Sequence, residues 1–433
     1  MPLRNPSAVV IRGGTVSDST GSRTADVLIQ EGVIATVGSK ITSVPAGTVV
    51  LEASGCVVAP GLVDLHAHLR EPGREEAETV ASGARAAALG GYTALVAMPN
   101  TEPTIDSAAV VGQVLDLGAE SCCDVRVAGA ITVGREGRLL APMAEMASLG
   151  VKLFTDDGSG VQDARLMRRA LEYASALGVT LAQHCEDASL AGGGHMHEGE
   201  WSSRLGIPGQ PAEAEELMLM RDLALARLTG ARVHFLHLST AGSLAMIRGA
   251  KASGLAVTAE VAPHHFTLTD AEVASYDPVF KVNPPLRSDA DVAAVKAALA
   301  DGVVDAIATD HAPHTQEAKE APFDEAPPGM LGLETALALA LTELDVPVEK
   351  ILALMCWQPA AIAGLTAEHG GPVAVGRPAN LCVIDPAAKW VVDPTALASR
   401  SRNTPYAGRS LVGKVRHTVL RGEPVVVEGE AQR

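Results

Sequence analysis

Short runs of apolar and β-branched residues alternate with helical patterns through the middle of the chain, and this alternation restricts the fold more than any other feature. Helical stretches occur at 76–89, 164–177, 212–228 and 241–252. Eight candidate strands can be counted, at 62–66, 93–98, 125–130, 151–154, 180–184, 232–237, 256–261 and 306–310. Eight parallel strands with crossover helices predict an α/β fold, the (β/α)8 TIM barrel, with its chemistry at the C-terminal ends of the strands.

The two ends of the chain read differently, as short strands separated by tight turns. Strand patterns occupy 9–14 and 27–37 near the start, and 380–385 and 414–424 near the end. Neither end has enough strand to form a stable sheet alone, so we expect both to meet in one small β-sandwich domain. The predicted boundaries are residues 1–57 and 366–433 for this domain, and 58–365 for the barrel.

Composition excludes several classes of function. The formal net charge of −17 disfavours nucleic acid and anionic membranes as partners. We find neither a signal peptide nor a run of 18 uncharged apolar residues, so a cytoplasmic location is expected. The six cysteines show no CxxC spacing, which argues against a disulfide scaffold and a thiolate zinc site.

Metal-ligating residue types follow the predicted strands. His66 and His68 alternate at the end of the first strand and therefore share one face, and Arg70 continues the alternation. A lone His-x-His pair is equally compatible with two ordinary strand-end histidines. Further polar residues end or follow the other strands, however: Asn100, Asp156, Asp157, His184, His237 and Asp310. Four imidazoles and at least two carboxylates at one mouth predict a two-metal site with the nitrogen and oxygen ligands that zinc accepts.

Five other histidines have sequence contexts that indicate no catalytic role. His234 lies three residues before His237, which predicts a core or helix-facing position. His195 and His197 lie in a glycine-rich loop and are expected to be exposed to solvent. His264 and His265 follow the seventh strand and stay unassigned.

Five motifs together resemble the bacterial dihydroorotases (class I type) of the amidohydrolase superfamily. They are DLHAHLREPG at 64–73, MPNT at 98–101, FTDDG at 154–158, VNPPLR at 282–287 and ATDHAPHTQEAK at 308–319. The resemblance covers nearly the whole chain. It implies the reversible cyclisation of N-carbamoyl-L-aspartate to L-dihydroorotate, a step of pyrimidine (UMP) biosynthesis.

The resemblance also implies a ligand set. It predicts two zinc ions per subunit, with a bridging hydroxide as the nucleophile. Asp310 would act as the general acid and base. The more buried ion would be held by His66, His68 and Asp310, the other ion by His184 and His237, and both ions by Asp157.

The substrate would be bound by a second group of residues. The resemblance implies that Arg70, Asn100 and His314 bind the α-carboxylate, that Asn283 contacts the ring, and that His68 also faces the substrate. Main-chain groups of Pro328 and Gly329 would complete the pocket. We expect the charged, proline-rich segment 316–329 to close over the substrate.

Other readings stay open at this point. Another cyclic amidohydrolase, allantoinase or dihydropyrimidinase, is the alternative activity, although Arg70 argues against an uncharged ring. An inactive scaffold for aspartate transcarbamoylase or a metal-storage protein is less consistent with the complete ligand set. Some amidohydrolases bridge their metals with a carbamylated lysine, and Lys152 lies close to that point, but the DDG motif favours Asp157. We expect a homodimer, with an aspartate transcarbamoylase complex left open.

Overall fold

The computed structural model describes residues 6–433 and confirms the predicted fold class. Its eight barrel strands are parallel, and they are Leu62–Ala67, Tyr92–Ala97, Asp124–Val127, Leu153–Phe154, Thr180–Gln183, Val233–Phe235, Val257–Val261 and Ala306–Ile307. A bridge between Gly129 and Phe154 joins the third strand to the fourth. The ring closes between the eighth strand and the first, where the main-chain N–H of His68 donates to the carbonyl of His311 over 2.8 Å.

A helix follows each barrel strand. These eight helices are Val80–Leu89, Ala108–Gly118, Met143–Ser148, Ala164–Leu177, Glu213–Thr229, Ala241–Ala252, Asp289–Asp301 and Ala336–Glu343. Several end at the glycines that the sequence pattern indicates. Gly178 has φ 68° and Gly230 has φ 70°, a left-handed conformation that glycine adopts without a steric penalty.

The first of these helices begins later than residue 76, where the sequence pattern places it. Thr79 is extended and caps the helix, accepting a hydrogen bond from the main chain of Ser82. Glu78 is fully buried and turns inward, with its carboxylate 3.3 Å from His311 Nε2. This buried contact takes Glu78 out of the helix that its neighbours would otherwise continue.

Small and branched side chains fill the inside of the barrel, including Leu65 and Leu236. The helical stretch Val348–Leu352, Ala353–Trp357 and Gln358–Ile362 contributes Ala360 to this interior cluster, opposite the end at which the predicted ligands lie. The buried Asp64 ties the first strand to the eighth by accepting from the N–H and the hydroxyl of Thr309 at 2.8 and 2.6 Å. The interior of the barrel is therefore packed, and it holds the strand ends and loops at the open end in place.

Both chain ends contribute to a single nine-stranded sheet, as predicted. Its strands are Ala8–Asp18, Gly21–Gln30, Val33–Gly38, Val49–Glu52, Val57–Pro60, Leu381–Val391, Ser410–Leu420, Glu423–Val427 and Glu430–Ala431. Ala8–Asp18 pairs in parallel with two strands, because its first half pairs with Val49–Glu52 and its second half with Val57–Pro60. Side chains from both ends, such as Ile11 and Val419, share one core. The boundaries at 57/58 and 365/366 stay a prediction.

Short elements decorate the open end of the barrel. They are the strands Met196–His197 and Gly209–Gln210, the helices Ala188–Ala191, Glu200–Leu205, His264–Thr267 and Gln316–Lys319, and the 3-10 turns Val133–Arg135, Asp270–Ser275 and Pro278–Phe280, with a further turn at Pro394–Ala396. All six cysteines are buried and unpaired in the described part of the chain. Within residues 6–433, none of the helices combines the length and apolar character needed to cross a bilayer.

Candidate active site

The two histidines of the first strand are buried and oriented by hydrogen bonds to their Nδ1 atoms. His66 Nδ1 lies 3.0 Å from Glu260 Oε1, and His68 Nδ1 lies 2.8 Å from Asn100 Oδ1. A partner at Nδ1 leaves Nε2 of each ring for a ligand, the arrangement that orients metal-binding histidines in proteins. Both Nε2 atoms therefore point toward the carboxylates at the centre of the barrel mouth.

Asp157 lies at that centre. Its Oδ1 is 3.5 Å from His66 Nε2, 3.5 Å from His184 Nδ1 and 3.4 Å from His237 Nε2. Its Oδ2 is 3.6 Å from His68 Nε2. Two groups of converging ligand atoms thus share Asp157, one with His66 and His68 and the other with His184 and His237. Asp157 is common to both groups, and their assignment to two metal ions stays a prediction.

Asp310 adds a second carboxylate beside His66 and His68, the histidines of the first group. Its Oδ1 lies 3.5 Å from His66 Nε2 and 3.3 Å from His68 Nε2. Asp310 has φ 46°, and two other residues of the site, His237 at 31° and Arg70 at 62°, also have positive φ. Non-glycine residues in this conformation carry strain that concentrates at functional sites.

Unsatisfied polar atoms show that the cluster fits a metal. Among residues 6–433, His66 Nε2 and Asp157 Oδ1 are buried without a hydrogen-bond partner. His184 Nδ1 and His237 Nε2 lie 2.9 Å apart, so two ring nitrogens converge on the same space. The two unpaired atoms, His66 Nε2 and Asp157 Oδ1, are costly to bury, and a cation in this space would give them a partner. Nitrogen and carboxylate ligands together suit zinc, which accepts both.

Both carboxylates of the site are ionised at neutral pH. Burial alone would raise the pKa of Asp157, but the surrounding His66, His184 and His237 hold it well below its usual value. Burial would likewise raise the pKa of Asp310, and contact with His68 and His66 lowers it instead. The two groups therefore start as acceptors of protons or ligands of cations.

A cavity of about 230 Å³ opens beside these ligands. All of the residues that the resemblance assigns to the substrate lie in its wall, together with most of the metal ligands. The lining comprises His68, Arg70, Arg74, Asn100, Asp157, Gly158, His184, His237, Val282, Asn283, Asp310, Ala312, His314, Pro327, Pro328 and Gly329. The structure thus brings together residues that are up to about 260 positions apart in sequence.

Arg70 provides a buried positive charge in the wall of this cavity. The side chain is buried, its Nε donates to the carbonyl of Pro313 over 3.0 Å, and Nη2 lies 3.4 Å from His314 Nε2. Burial lowers the pKa of Arg70 to about 10, so the guanidinium remains charged at neutral pH. Burial and the nearby Arg70 lower the pKa of His314 to about 3, which keeps that imidazole neutral. The pair offers one cation and one neutral ring to an anionic ligand.

Two further contacts set the other wall. Asn283 Nδ2 donates to Glu186 Oε2 over 2.8 Å, and Glu186 lies 3.6 Å from His184 Nε2. On the opposite side, His314 Nε2 lies 2.8 Å from the carbonyl of Pro328. Asn283 is therefore connected through Glu186 to the predicted metal ligand His184, and His314 is connected to the loop at Pro328.

Comparisons with known proteins agree with this geometry. The profile of a family described as "Dihydro-orotase-like" matches residues 55–243. The dihydroorotase of Streptomyces coelicolor is 51% identical over 98% of this chain and 99% of its own length. The dihydroorotase of Mycobacterium tuberculosis is 47% identical, with the same two coverages of 98% and 99%. This chain belongs to the dihydroorotase family.

Solved structures show the same architecture at lower identity. The L-hydantoinase (dihydropyrimidinase) from Arthrobacter aurescens superposes with a TM-score of 0.87 at 25% identity, covering 98% of this chain and 97% of that one. A D-hydantoinase superposes with a TM-score of 0.84 at 24% identity and shows the fold alone. Membership of the dihydroorotase family confirms the resemblance drawn from the motifs and the predicted enzyme class, a hydrolase of cyclic amides.

Several residues of this dihydroorotase-family site were missed from the sequence. Glu260 orients His66 and also lies 3.0 Å from His234 Nε2, so His234 is a core residue that supports a ligand rather than facing a helix. A glutamate within the apolar seventh strand was the available signal. Arg135, in the loop after the third strand, donates to the carbonyl of Asp157.

Asn403 was also missed, because it lies far outside the barrel strands in sequence. Its Nδ2 donates to the carbonyls of Ala312 and Gly329 at 3.0 and 3.1 Å, and its Oδ1 accepts from the main-chain N–H of His314 at 3.2 Å. Nothing in the sequence RNTPY marks Asn403 as a neighbour of the cavity. One side chain from the C-terminal segment therefore fixes two cavity-lining stretches.

The other sequence candidates fall outside the ligand cluster. Asp156 is buried and accepts hydrogen bonds from the main chain of Ile131 and Thr132 at 2.8 and 3.0 Å. Lys152 is exposed, with its Cγ 3.3 Å from where a Cβ on Gly364 would lie, beyond the helices that close the opposite end.

The histidines left without a role also have defined positions. His195 and His197 are both half-buried, and His197 Nδ1 lies 3.2 Å from Arg287 Nη1, so the expectation that these two residues are exposed to solvent is wrong. His264 and His265 are both buried, and His264 Nε2 lies 3.9 Å from Asp310 Oδ2.

Proposed function

We propose that this protein is a zinc-dependent dihydroorotase that interconverts N-carbamoyl-L-aspartate and L-dihydroorotate in pyrimidine biosynthesis. The observation that carries the proposal is one cavity in which Arg70 faces a cluster of four histidines and two aspartates. The named relatives in the family support the same reaction. The substrate has a carboxylate for the guanidinium and a cyclic amide for the metal cluster.

We assign two zinc ions to the cluster. His66, His68 and Asp310 would hold one, His184 and His237 the other, and Asp157 would bridge them. The exposure of Lys152 at the far end of the barrel supports Asp157 over a lysine carbamate as the bridge. When bound, the zinc pair would lower the pKa of a water molecule and polarise the carbonyl of the substrate ring.

The protein's own residues would carry the remaining chemistry. Arg70, Asn100 and His314 would bind the α-carboxylate through charge-assisted and neutral hydrogen bonds, and Asn283 would contact the ring. This binding places the amide bond next to Asp310. The Asp310 carboxylate, which is ionised at neutral pH, would accept a proton from the attacking water and deliver it to the departing ring nitrogen.

The reverse reaction uses the same groups. Protonated Asp310 would assist the loss of water as the carbamoyl nitrogen closes on the side-chain carboxyl group. The barrel at 58–365 would supply the chemistry, with the sheet formed by 1–57 and 366–433 as an accessory domain. A homodimer, an aspartate transcarbamoylase partner and a cytoplasmic location stay predictions.

Steady-state kinetics on three substrates test the proposal. The zinc-loaded enzyme should open L-dihydroorotate with a kcat/KM at least about 10²-fold above those for dihydrouracil and allantoin, because an unpaired buried guanidinium costs about 3–5 kcal/mol. Metal analysis should find two zinc ions per chain. A preference for dihydrouracil or allantoin, or a protein without turnover at full zinc occupancy, would contradict the proposal.

A further inference from the structure

Lys319, five residues beyond His314, has an unusual environment for a lysine. It ends the short helix Gln316–Lys319, and its Nζ donates three hydrogen bonds. The acceptors are the main-chain carbonyl oxygens of Pro278, Pro327 and Lys281, at 2.9, 2.9 and 3.3 Å. An ammonium group has three donors, so this one is fully used by main-chain acceptors.

These acceptors belong to the segments that form the substrate side of the cavity. Pro327 immediately precedes the lining residues Pro328 and Gly329, and Pro278 and Lys281 belong to the turn that precedes Asn283. The helix that carries Lys319 begins directly after His314 and Thr315. One ammonium group therefore lies where all three substrate-facing segments meet.

A main-chain hydrogen bond also joins two of these segments, the turn 278–281 and the loop 327–329, which are the two loops on the substrate side of the cavity. The N–H of Gly329 donates to the carbonyl of Lys281 over 2.8 Å, and this oxygen also accepts from Lys319. Gly329 has φ 144°, and a Cβ there would lie 2.8 Å from His314 Nε2, so the loop passes close to a substrate-facing ring. A small separation of the two loops would displace both walls of the cavity.

Lys319 is half-buried, and no carboxylate is among the hydrogen-bond partners of its ammonium group in the described residues. Desolvation of the ammonium, together with the nearby Lys281, lowers the pKa of Lys319 to about 7 despite the opposing charge of Asp277. An apolar side chain would serve packing at less energetic cost. The contacts of the Lys319 ammonium group with the two loops therefore explain its position better than packing does.

We propose that Lys319 is a positioning residue, whose ammonium group joins the two loops on the substrate side of the cavity and thereby sets the geometry of the substrate-binding residues. This proposal rests on the proposed function for its kinetic consequence. The metal ligands are supported independently by Glu260, Asn100 and the barrel strands. Loss of the ammonium should consequently impair substrate binding while leaving the metal cluster in place.

The test compares Lys319→Met with Lys251→Met in the full-length, zinc-loaded enzyme. Lys251 is a matched control because it is also half-buried and its Nζ also donates to a main-chain carbonyl, that of Val303 at 2.7 Å, away from the cavity wall. Lys319→Met should raise KM for L-dihydroorotate about 10- to 100-fold, the range expected for a small misplacement of binding groups, with kcat changed less than about threefold. Lys251→Met should change KM less than about threefold.

Hydrogen exchange gives a readout that does not depend on activity. The amide of Gly329 should exchange at least about tenfold faster in Lys319→Met than in the wild type and in Lys251→Met, because its acceptor loop is released. If the wild type exchanges as expected but does not open dihydroorotate, the proposed function fails while the exchange result still decides whether Lys319 joins the loops.

Chemical rescue completes the design. Lys319→Cys treated with 2-bromoethylamine regains an ammonium on a side chain of lysine length, and the six native cysteines are buried and so protected in the folded enzyme. Alkylation should restore KM and slow exchange. Wild-type KM and exchange in Lys319→Met, a loss equal to that of Lys251→Met, or a loss of zinc and kcat that alkylation does not restore would each overturn the proposal.

Discussion

Replacing Glu260 by glutamine tests how the ligand cluster is oriented. Glu260 is fully buried, with Oε1 3.0 Å from His66 Nδ1 and Oε2 3.0 Å from His234 Nε2. Burial would raise the pKa of Glu260, but the hydrogen bonds from both histidines hold it at about 2. Each imidazole can therefore donate an N–H to a carboxylate oxygen, which directs His66 Nε2 toward the metal.

Glutamine keeps the size of the side chain but changes one acceptor into a donor. One histidine keeps an oxygen partner, and the other faces an NH2 group that cannot accept its proton. Loss of such a supporting contact lowers metal affinity about 10- to 100-fold, equivalent to about 1.4–2.8 kcal/mol. The expected result is that zinc affinity falls by this factor while kcat at saturating zinc stays within about tenfold of the wild type.

A competition titration of the metal-free protein with zinc and a chelator measures this effect. Glu215→Gln is the matched control, because Glu215 is equally buried but binds Ser239 and Thr240 rather than a histidine. Its zinc affinity should stay within about twofold of the wild type. Unchanged affinity in Glu260→Gln, or an equal loss in the control, would refute this account of how His66 is oriented.

Four further predictions follow from the site and its surroundings. Asp310→Asn should retain zinc but lower kcat by several orders of magnitude in a dihydroorotate assay, because general-base and general-acid help contribute roughly 10²–10⁴-fold each. Arg70→Met should reduce kcat/KM for dihydroorotate by roughly 10²-fold or more and for dihydrouracil far less; equal losses on both substrates would make Arg70 structural. Asp157→Ala should lose at least one zinc ion and nearly all activity, whereas Lys152→Ala should keep both ions without any dependence on bicarbonate. Metal loss in Lys152→Ala that short carboxylates reverse would assign the bridge to the lysine. Burial raises the pKa of Glu334 from 4.5 to about 7, so the native state binds the proton more tightly and its stability falls as pH rises from 4.5 to 7. Glu334→Gln should therefore raise the free energy of unfolding by about 1–3 kcal/mol at pH 8 and little at pH 4, as urea titrations at the two pH values would show.

The barrel and most of its ligand cluster could be predicted because strand ends are readable in a sequence. Parallel strands bring their C-terminal ends together, so His66, His184, His237 and Asp310 were expected to meet before any distance was known. The alternation at His66 and His68 likewise determined which face they share. Here the local pattern and the global arrangement point to the same result.

The supporting contacts could not be predicted in this way. Glu260 meets His66 across 194 positions, and Asn403 meets Ala312 across 91, with neither contact marked by periodicity or spacing. For Glu78 the sequence predicts too much helix. Its neighbours form a helical pattern, but Glu78 contacts the buried His311 and lies before the start of the helix. Contacts of this kind depend on side-chain packing between distant segments, which a single sequence does not encode locally.

The reach of Asn403 into the cavity has a consequence for synthesis of the protein. Every strand of the barrel precedes residue 310, yet the loops around His314 and Gly329 gain the hydrogen bonds of Asn403 only when the C-terminal segment docks. A nascent chain would thus build its barrel and ligand cluster while the substrate side of the pocket still lacks these bonds. The substrate-binding side of the pocket would then be completed only near the end of translation. A chain that ends before residue 403 would contain all of the predicted metal ligands but would lack the contacts that hold His314 and Gly329.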